Sequence, residues 1–200
     1  MRAYCRGAAL TTNTVMQGAW LLLMSRYTGE HDLVLGVTSS GRSTDFPGVD
    51  TVTGLCMNTL PVRVRVETER PVRDWLGDLQ AMQVDLRQYE YTPLDSIVEW
   101  TGQELFECMM VFENYPWDGT LRQLGDRMEA EHPLIQADYQ LAQFEFPLRV
   151  EVAPGGNHLL IVHYYRDSFA DETITALLAD WLNMIKAIIA TADASLASLI

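Results

Sequence analysis

The run LVLGV at residues 33–37 limits the fold more than any other stretch, because it holds no polar side chain. A strand that is apolar at every position turns neither face to water, so this run predicts a strand covered on both faces. Upstream, Val15, Met16, Ala19, Trp20, Leu22, Leu23 and Tyr27 recur at helical spacing. They predict an amphipathic helix from Thr12 to Tyr27, capped by Thr11 or Thr12 and stopped at Gly29.

Downstream, Leu60, Val62, Val64 and Val66 alternate with Pro61, Arg63 and Arg65, giving a strand with one buried face. Pro61 cannot donate to a ladder, which places it at the strand's start or on an edge. Pro71 opens a second helix with Val72, Trp75, Leu76, Leu79, Met82 and Leu86 on one side, ending before Pro93. Leu94 to Trp100 reads as a short helical piece, and LFECMMVF at 105–112 as a buried strand stopped by Asn114 and Pro116. The chain is polar and loop-like from Trp117 to Pro133, and a further strand begins near Ile135. FPLRVEV and HLLIVHYY form a hairpin around the turn residues APGGN. A last helix, about Asp171 to Ala190, gathers Ile174, Leu177, Leu178, Trp181, Ile185 and Ile188 on one face. This order predicts an α/β fold, a mixed sheet sandwich with helices packed on it and no internal domain boundary.

At 200 residues and 48% hydrophobic, the chain can bury a sizeable core. Its 14 basic against 27 acidic residues, a net charge of −13, argue against a nucleic-acid partner, since phosphate binding needs basic patches. AWLLLM at 19–24 is too short to cross a membrane, and no basic segment with an apolar core opens the chain. The expected setting is cytoplasmic, with no membrane contact. Cys5, Cys56 and Cys108 are odd in number and widely spaced, which predicts reduced thiols. His31, His132, His158 and His163 lie at no metal-ligand spacing, so no metal site is expected. The nucleophile-elbow, phosphate-loop and dinucleotide motifs are missing, and the carboxylates read as solvated. Met109 and Met110 read as core, while FENYPW at 112–117 turns polar at Glu113 and Asn114, where a strand ends.

The strongest local signal is VTSSGRSTDFPGVDTVTGLCMNTLPVR at 37–63, a connection too long for a simple link between two strands. It carries Gly41, Gly48 and Gly54 beside Ser39, Ser40, Arg42, Asp45 and Asp50. Clefts of α/β folds lie at strand ends, so this loop marks a candidate site without defining a reaction.

Four stretches carry a resemblance: GAWLLLMSRYTGEHDLVLGVTSSGR at 18–42, GLCMNTLPVRV at 54–64, YEYTPLDSIVEWTG at 89–102 and LFECMMVFENYP at 105–116. In order and spacing they resemble the C-terminal half of condensation domains of nonribosomal peptide synthetases, and the similarity runs on to the closing DASLASLI. Such domains are similar to chloramphenicol acetyltransferase. Two α/β lobes form a V around a tunnel that admits the phosphopantetheine arms of two carrier proteins, and an aminoacyl amine attacks a thioester to form an amide. The resemblance implies that residues 1–200 are a C-terminal lobe supplying tunnel wall, floor loop and latch. Its implied partners are the N-terminal lobe and peptidyl carrier protein domains, with no cofactor bound directly. The implied setting is antibiotic or siderophore biosynthesis.

The family's catalytic histidine lies in an HHxxxDG motif on the other lobe, and no adjacent histidine pair occurs here. The resemblance therefore implies no catalytic residue in this chain and no activity of the fragment alone. Matched residue by residue, Ser40 and Arg42 fall on the family's S-G-R, and Asn58, Thr59 and Leu60 on its N-T-L. Ser40 and Asn58 are implied to face the tunnel. Two roles stay open for Asn58, substrate contact or satisfaction of backbone groups where the strand begins. Arg42 either contacts substrate or pins the loop by pairing with a local carboxylate. Cys56 and Met57 stand where members often carry an aromatic residue and Val, which alters local packing. The N-T-L-P run resembles condensation more than epimerisation or heterocyclisation relatives. Competing readings are a non-catalytic carrier-docking or interface module and a lobe of a related acyltransferase.

Overall fold

The computed structural model describes residues 1–42, 48, 51–113, 136–137, 146–153 and 159–200. Two helices open the chain, α1 (Arg2–Ala8) and α2 (Thr12–Thr28), followed by β1 (Asp32–Ser39) and β2 (Asn58–Arg65). Helices α3 (Val72–Leu86) and α4 (Leu94–Thr101) lead to β3 (Cys108–Phe112). Strands β4 (Gln136–Ala137), β5 (Leu148–Ala153) and β6 (Leu159–Tyr164) precede the long α5 (Asp171–Ala190). Among the described residues the strands form one six-stranded sheet in the order β2-β1-β3-β5-β6-β4. β1 runs antiparallel to β2 and parallel to β3, β3 is parallel to β5, and β5 and β6 form an antiparallel hairpin. The fold is the mixed α/β arrangement expected from the alternating pattern.

Register explains which side chains meet the helices. Leu35 lies opposite Val62, Met110 opposite Val150, and Val150 opposite Val162, so one sheet face carries a buried apolar row. α2 and α5 pack on this row, and their Trp20 and Trp181, both fully buried, meet edge to face with ring centroids 5.0 Å apart. Trp181 also donates its indole N–H to the Met16 carbonyl at 3.3 Å. α3 closes on α2 at Gly18, where an added Cβ would run into the Leu76 and Trp75 side chains. Beside that contact Gln17, fully buried, takes a hydrogen bond from Gln83 and gives one to Asn13. All six apolar residues anticipated on the α5 face are buried. By length and composition α5 could cross a membrane, but its apolar face is spent on this core.

Local punctuation follows the sequence closely. Thr11 caps α2 by accepting from the Thr14 N–H at 3.1 Å, and Gly29 ends the helix at φ 73°. Pro71 precedes the first turn of α3, and Pro61 falls on β2, an edge strand. The strand expected near Ile135 is β4, and the APGGN turn lies outside the described residues apart from Ala153.

Three expectations need correction. α2 is not amphipathic: Thr14 to Leu23 are buried without a break and Tyr27 is exposed, because α2 runs between the sheet, α3 and α5. α1 is an additional helix that periodicity does not reveal, because Cys5 is its one buried residue and it has no apolar stripe. β1 is also not apolar-covered along its whole length: it is interior in the sheet, but Leu33 and Val34 are half-buried. On the face away from the buried row, Gly36 is covered by the Phe106 ring, which packs on Phe146 at 4.8 Å. Gly36 belongs in the apolar run because a ring occupies the space of its missing side chain.

Gly36→Ala is expected to destabilise by about 1–3 kcal/mol through overpacking against Phe106, read from denaturant unfolding midpoints. At the outer end of the β1–β2 pair, Asp32 accepts from Arg63 at 2.8 and 2.7 Å and from Arg65 at 3.3 Å. The Arg63 hydrogen bond leads in lowering its pKa from 3.8 to about 2. A depressed carboxylate contributes stability above its unfolded pKa and loses it as pH falls through the folded one. The melting-temperature difference between wild type and Asp32→Asn should therefore be present at pH 7 and close between 3.8 and about 2.

Candidate functional site

The long connection leaves and re-enters the sheet side by side, since Ser39 at the end of β1 pairs with Asn58 at the start of β2. Strand alternation puts both side chains on the face of Leu35 and Leu60, toward the junction that follows α3. There the Ser39 hydroxyl donates to Glu90 Oε2 at 2.6 Å. Asn58 Nδ2 donates to the Glu90 carbonyl at 3.0 Å and to the Thr92 carbonyl at 2.6 Å. One junction thus holds both strand ends.

The ends of the connection also meet each other. Gly41 adopts φ 62°, and a Cβ there would strike the Cys56 carbonyl, so the position requires glycine for both backbone angle and space. The Gly41 N–H reaches Ser39 Oγ at 3.4 Å, and the Arg42 N–H reaches Ser40 Oγ at 3.3 Å. The Arg42 guanidinium donates to the carbonyls of Val52 at 2.9 Å and Gly54 at 3.4 Å. These described bonds run to backbone carbonyls, where a local carboxylate was one expectation. Asp45 and Asp50 lie outside the described residues.

Of the residues singled out by resemblance, Ser40 is exposed, Arg42 and Asn58 are half-buried, and Thr59 pairs with Thr38 on the sheet face opposite to Asn58. Ser40, Arg42 and Asn58 gather at the base of the connection. The residue that joins them to the rest of the fold is Glu90, a carboxylate that composition alone places in solvent. Glu90 is 5% exposed, and its Oε1 has no hydrogen-bond partner among the described residues. Its place after the 3₁₀ turn Arg87–Tyr89, between two exposed tyrosines, gives no periodic signal of burial. Leu55 (88%), Met57 (50%), Tyr89 (55%) and Tyr91 (59%) form exposed apolar surface on the segments joined here.

A second polar constellation occupies the opposite sheet face. Glu151 accepts from Arg149 at 3.2 Å and lies 3.4 Å from His163 Nε2. The hydrogen bond with His163 leads in pulling the Glu151 pKa down, with Arg149 assisting against burial. Burial leads in pushing Glu113 up, reinforced by the charge of Glu151. Arg149 and His163 face each other across the β5–β6 pair, so the strand register places them together. Elsewhere, His31 Nδ1 is 3.0 Å from the Ser25 hydroxyl, while His132 and His158 lie outside the described residues. Among the described residues no three His, Cys, Asp or Glu side chains gather as metal ligands. The three cysteines are free thiols, and burial pushes Cys108 up to about 12. In FENYPW, residues 114–117 lie outside the described part, as does most of the stretch between that motif and the hairpin, where the resemblance puts the latch.

Residues 1–199 match the sequence profile of the condensation domain. The chain belongs to the condensation domain family. It is similar to one of the linear gramicidin synthase proteins of Brevibacillus parabrevis, 40% identical over 192 residues that make up 93% of this chain and 2% of that protein. Another protein of the same synthase is 45% identical over 160 residues, 78% of this chain and 3% of that one. The fold is shared with the first condensation domain of the CDA synthetase at a TM-score of 0.76 and 12% identity, covering 99% of this chain and 44% of that chain. It is shared as well with holo-AB3403, a four-domain nonribosomal peptide synthetase, at a TM-score of 0.78 and 14% identity, covering 98% and 16%. These 200 residues thus cover part of a nonribosomal peptide synthetase condensation domain.

Asn58→Ala leaves two carbonyls without their donor and is expected to cost about 1–3 kcal/mol, measured by urea unfolding.

Proposed function

We propose that this chain is the C-terminal lobe of a condensation domain that forms peptide bonds between carrier-tethered substrates. The observation that carries the reading is the family match across residues 1–199, combined with coverage of 44% of a solved condensation domain and no adjacent histidine pair. In the proposed reaction an aminoacyl amine attacks a thioester carbonyl. A C–N bond forms, the C–S bond breaks, and the amine proton leaves as the phosphopantetheine thiol is released. The proton-handling histidine belongs to the N-terminal lobe, and this lobe contributes position.

On this reading Ser40, Arg42, Asn58 and Thr59 belong to the floor-loop region beside the tunnel. The backbone bonds of Arg42 and Asn58 support a role in holding the loop. The exposed Leu55, Met57, Tyr89 and Tyr91 support a surface that meets the other lobe. The proposed partners are that lobe and peptidyl carrier protein domains, in a cytoplasmic assembly line. Similarity to the linear gramicidin synthase proteins supports a peptide product.

The test is reconstitution with two carrier proteins bearing an acyl donor and an aminoacyl acceptor, followed by mass spectrometry of the carrier-bound product. The 200-residue chain alone is expected to form no amide, and the same chain joined to an upstream lobe containing HHxxxDG is expected to form it. Amide made by the chain alone would overturn the lobe assignment. Failure of the joined domain would favour the non-catalytic docking module. In isolation the chain is also expected to self-associate through the exposed apolar surface, read by sedimentation velocity; a strict monomer at high concentration counts against the lobe interface.

A further inference from the structure

The Glu90 carboxylate is buried against the base of the long connection, where the Ser39 hydroxyl donates to one oxygen and the other has no hydrogen-bond partner among the described residues. Among the described residues no cationic side chain pairs with it. Burying a carboxylate with a single neutral donor is costly, so a purely stabilising role does not account for the contact. The main chain of the same residue accepts from Asn58, so the two ends of the connection hang on one residue through two different groups. Ser39 passes the constraint on: its hydroxyl oxygen takes the Gly41 N–H, and Gly41 abuts the Cys56 carbonyl across the loop base.

We propose that Glu90 is a positioning residue for the condensation reaction. Its carboxylate, acting through Ser39, sets where residues 39–42 and 54–58 stand at the strand ends. The proposal rests on reading this chain as one lobe of a condensation domain. Glu90 is closed off from solvent and touches no reacting group. Its effect reaches the reaction through the loop base, where a displacement on the order of 1 Å can slow a positional catalyst by up to about a hundredfold.

The test uses the complete condensation domain with its carrier partners and three variants, Ser39→Ala, Glu90→Ala and Glu90→Gln. Glutamine keeps an oxygen for the Ser39 hydroxyl and removes the charge, so it separates the tether from simple acidity. One readout is the rate of amide formation under saturating and limiting carrier. The other, independent of activity, is alkylation of Cys56 by iodoacetamide, measured on its peptide by mass spectrometry. Cys56 is half-buried at the loop base and reports a shift of Gly41 directly.

Ser39→Ala and Glu90→Ala are expected to speed Cys56 alkylation and to lower kcat about tenfold, with KM for the carrier changed less than about twofold. Glu90→Gln is expected to stay near wild type in both readouts. If Ser39→Ala matches wild type in both, or if Glu90→Gln loses as much as Glu90→Ala, the positioning assignment is wrong. Should Glu90→Ala fail to fold, Ser39→Ala and Glu90→Gln still decide. If the wild-type domain makes no amide, the condensation reading fails, and with it the kinetic half of the proposal. The alkylation rates then still say whether Glu90 sets the loop base.

Discussion

Contact of Trp20 with Trp181 over the apolar row of the sheet is the constraint from which the remaining geometry follows. Two large rings, fully buried and meeting edge to face, fix α2 against α5. Burial of such side chains is worth several kcal/mol each, far above any exposed ion pair in the chain. With α2 placed, Gly18 admits Leu76 and Trp75, so α3 can settle at one depth only. The end of α3 then delivers the 3₁₀ turn Arg87–Tyr89 and Glu90 to the strand ends of β1 and β2. A core contact thereby sets the height of the junction that holds the long connection.

The connection is held by polar contacts where the core is held by apolar ones. Ser39, Asn58 and Arg42 each tie it to a neighbouring backbone or carboxylate, and none of these bonds is backed by a large buried side chain in the described part of the loop. Hydrogen bonds of this kind contribute about 0.5–1.5 kcal/mol each, so the loop base is set by a few small terms superimposed on a rigid sheet. That division suits the positional lobe proposed above: on that reading the sheet sets direction, and small polar changes at the strand ends adjust placement.

How much is legible in the sequence depends on the signal each element carries. α2, α3 and α5 emerge at nearly their observed limits, with Thr11, Gly29 and Pro71 at their ends, but the one-sided stripe read for α2 is a helix buried all round from Thr14 to Leu23. β2 and the β5–β6 hairpin declare themselves by alternation. α1 has no stripe to read, and the cover over Gly36 in β1 comes from a Phe106 ring far along the chain. At the site, Ser40, Arg42 and Asn58 stand out through family motifs. The tie between Glu90 and Ser39 does not, because it is a tertiary pairing across fifty-one residues. Burial of a charge is invisible to composition, which ranks Glu among residues that stay outside.

Two little-exposed carboxylates of this chain show what local composition can and cannot predict. Glu151 sits within reach of Arg149 and His163; alternation puts the three on one sheet face, but the β5–β6 register that joins them comes from the structure, as does the burial of Glu151, a carboxylate expected in solvent. Its charge is compensated, and its pKa moves down. Glu90 has a serine hydroxyl on one oxygen and, among the described residues, no partner on the other. Compensated charge is compatible with a purely structural role, since pairing offsets the desolvation that burial imposes. A carboxylate left half-satisfied at the meeting point of two strand ends and a helix junction has no such account, and its position beside the Ser40 and Arg42 segment gives it one. The physical asymmetry between these two glutamates separates a residue that stabilises the sheet from one whose cost is explained by where it holds the loop.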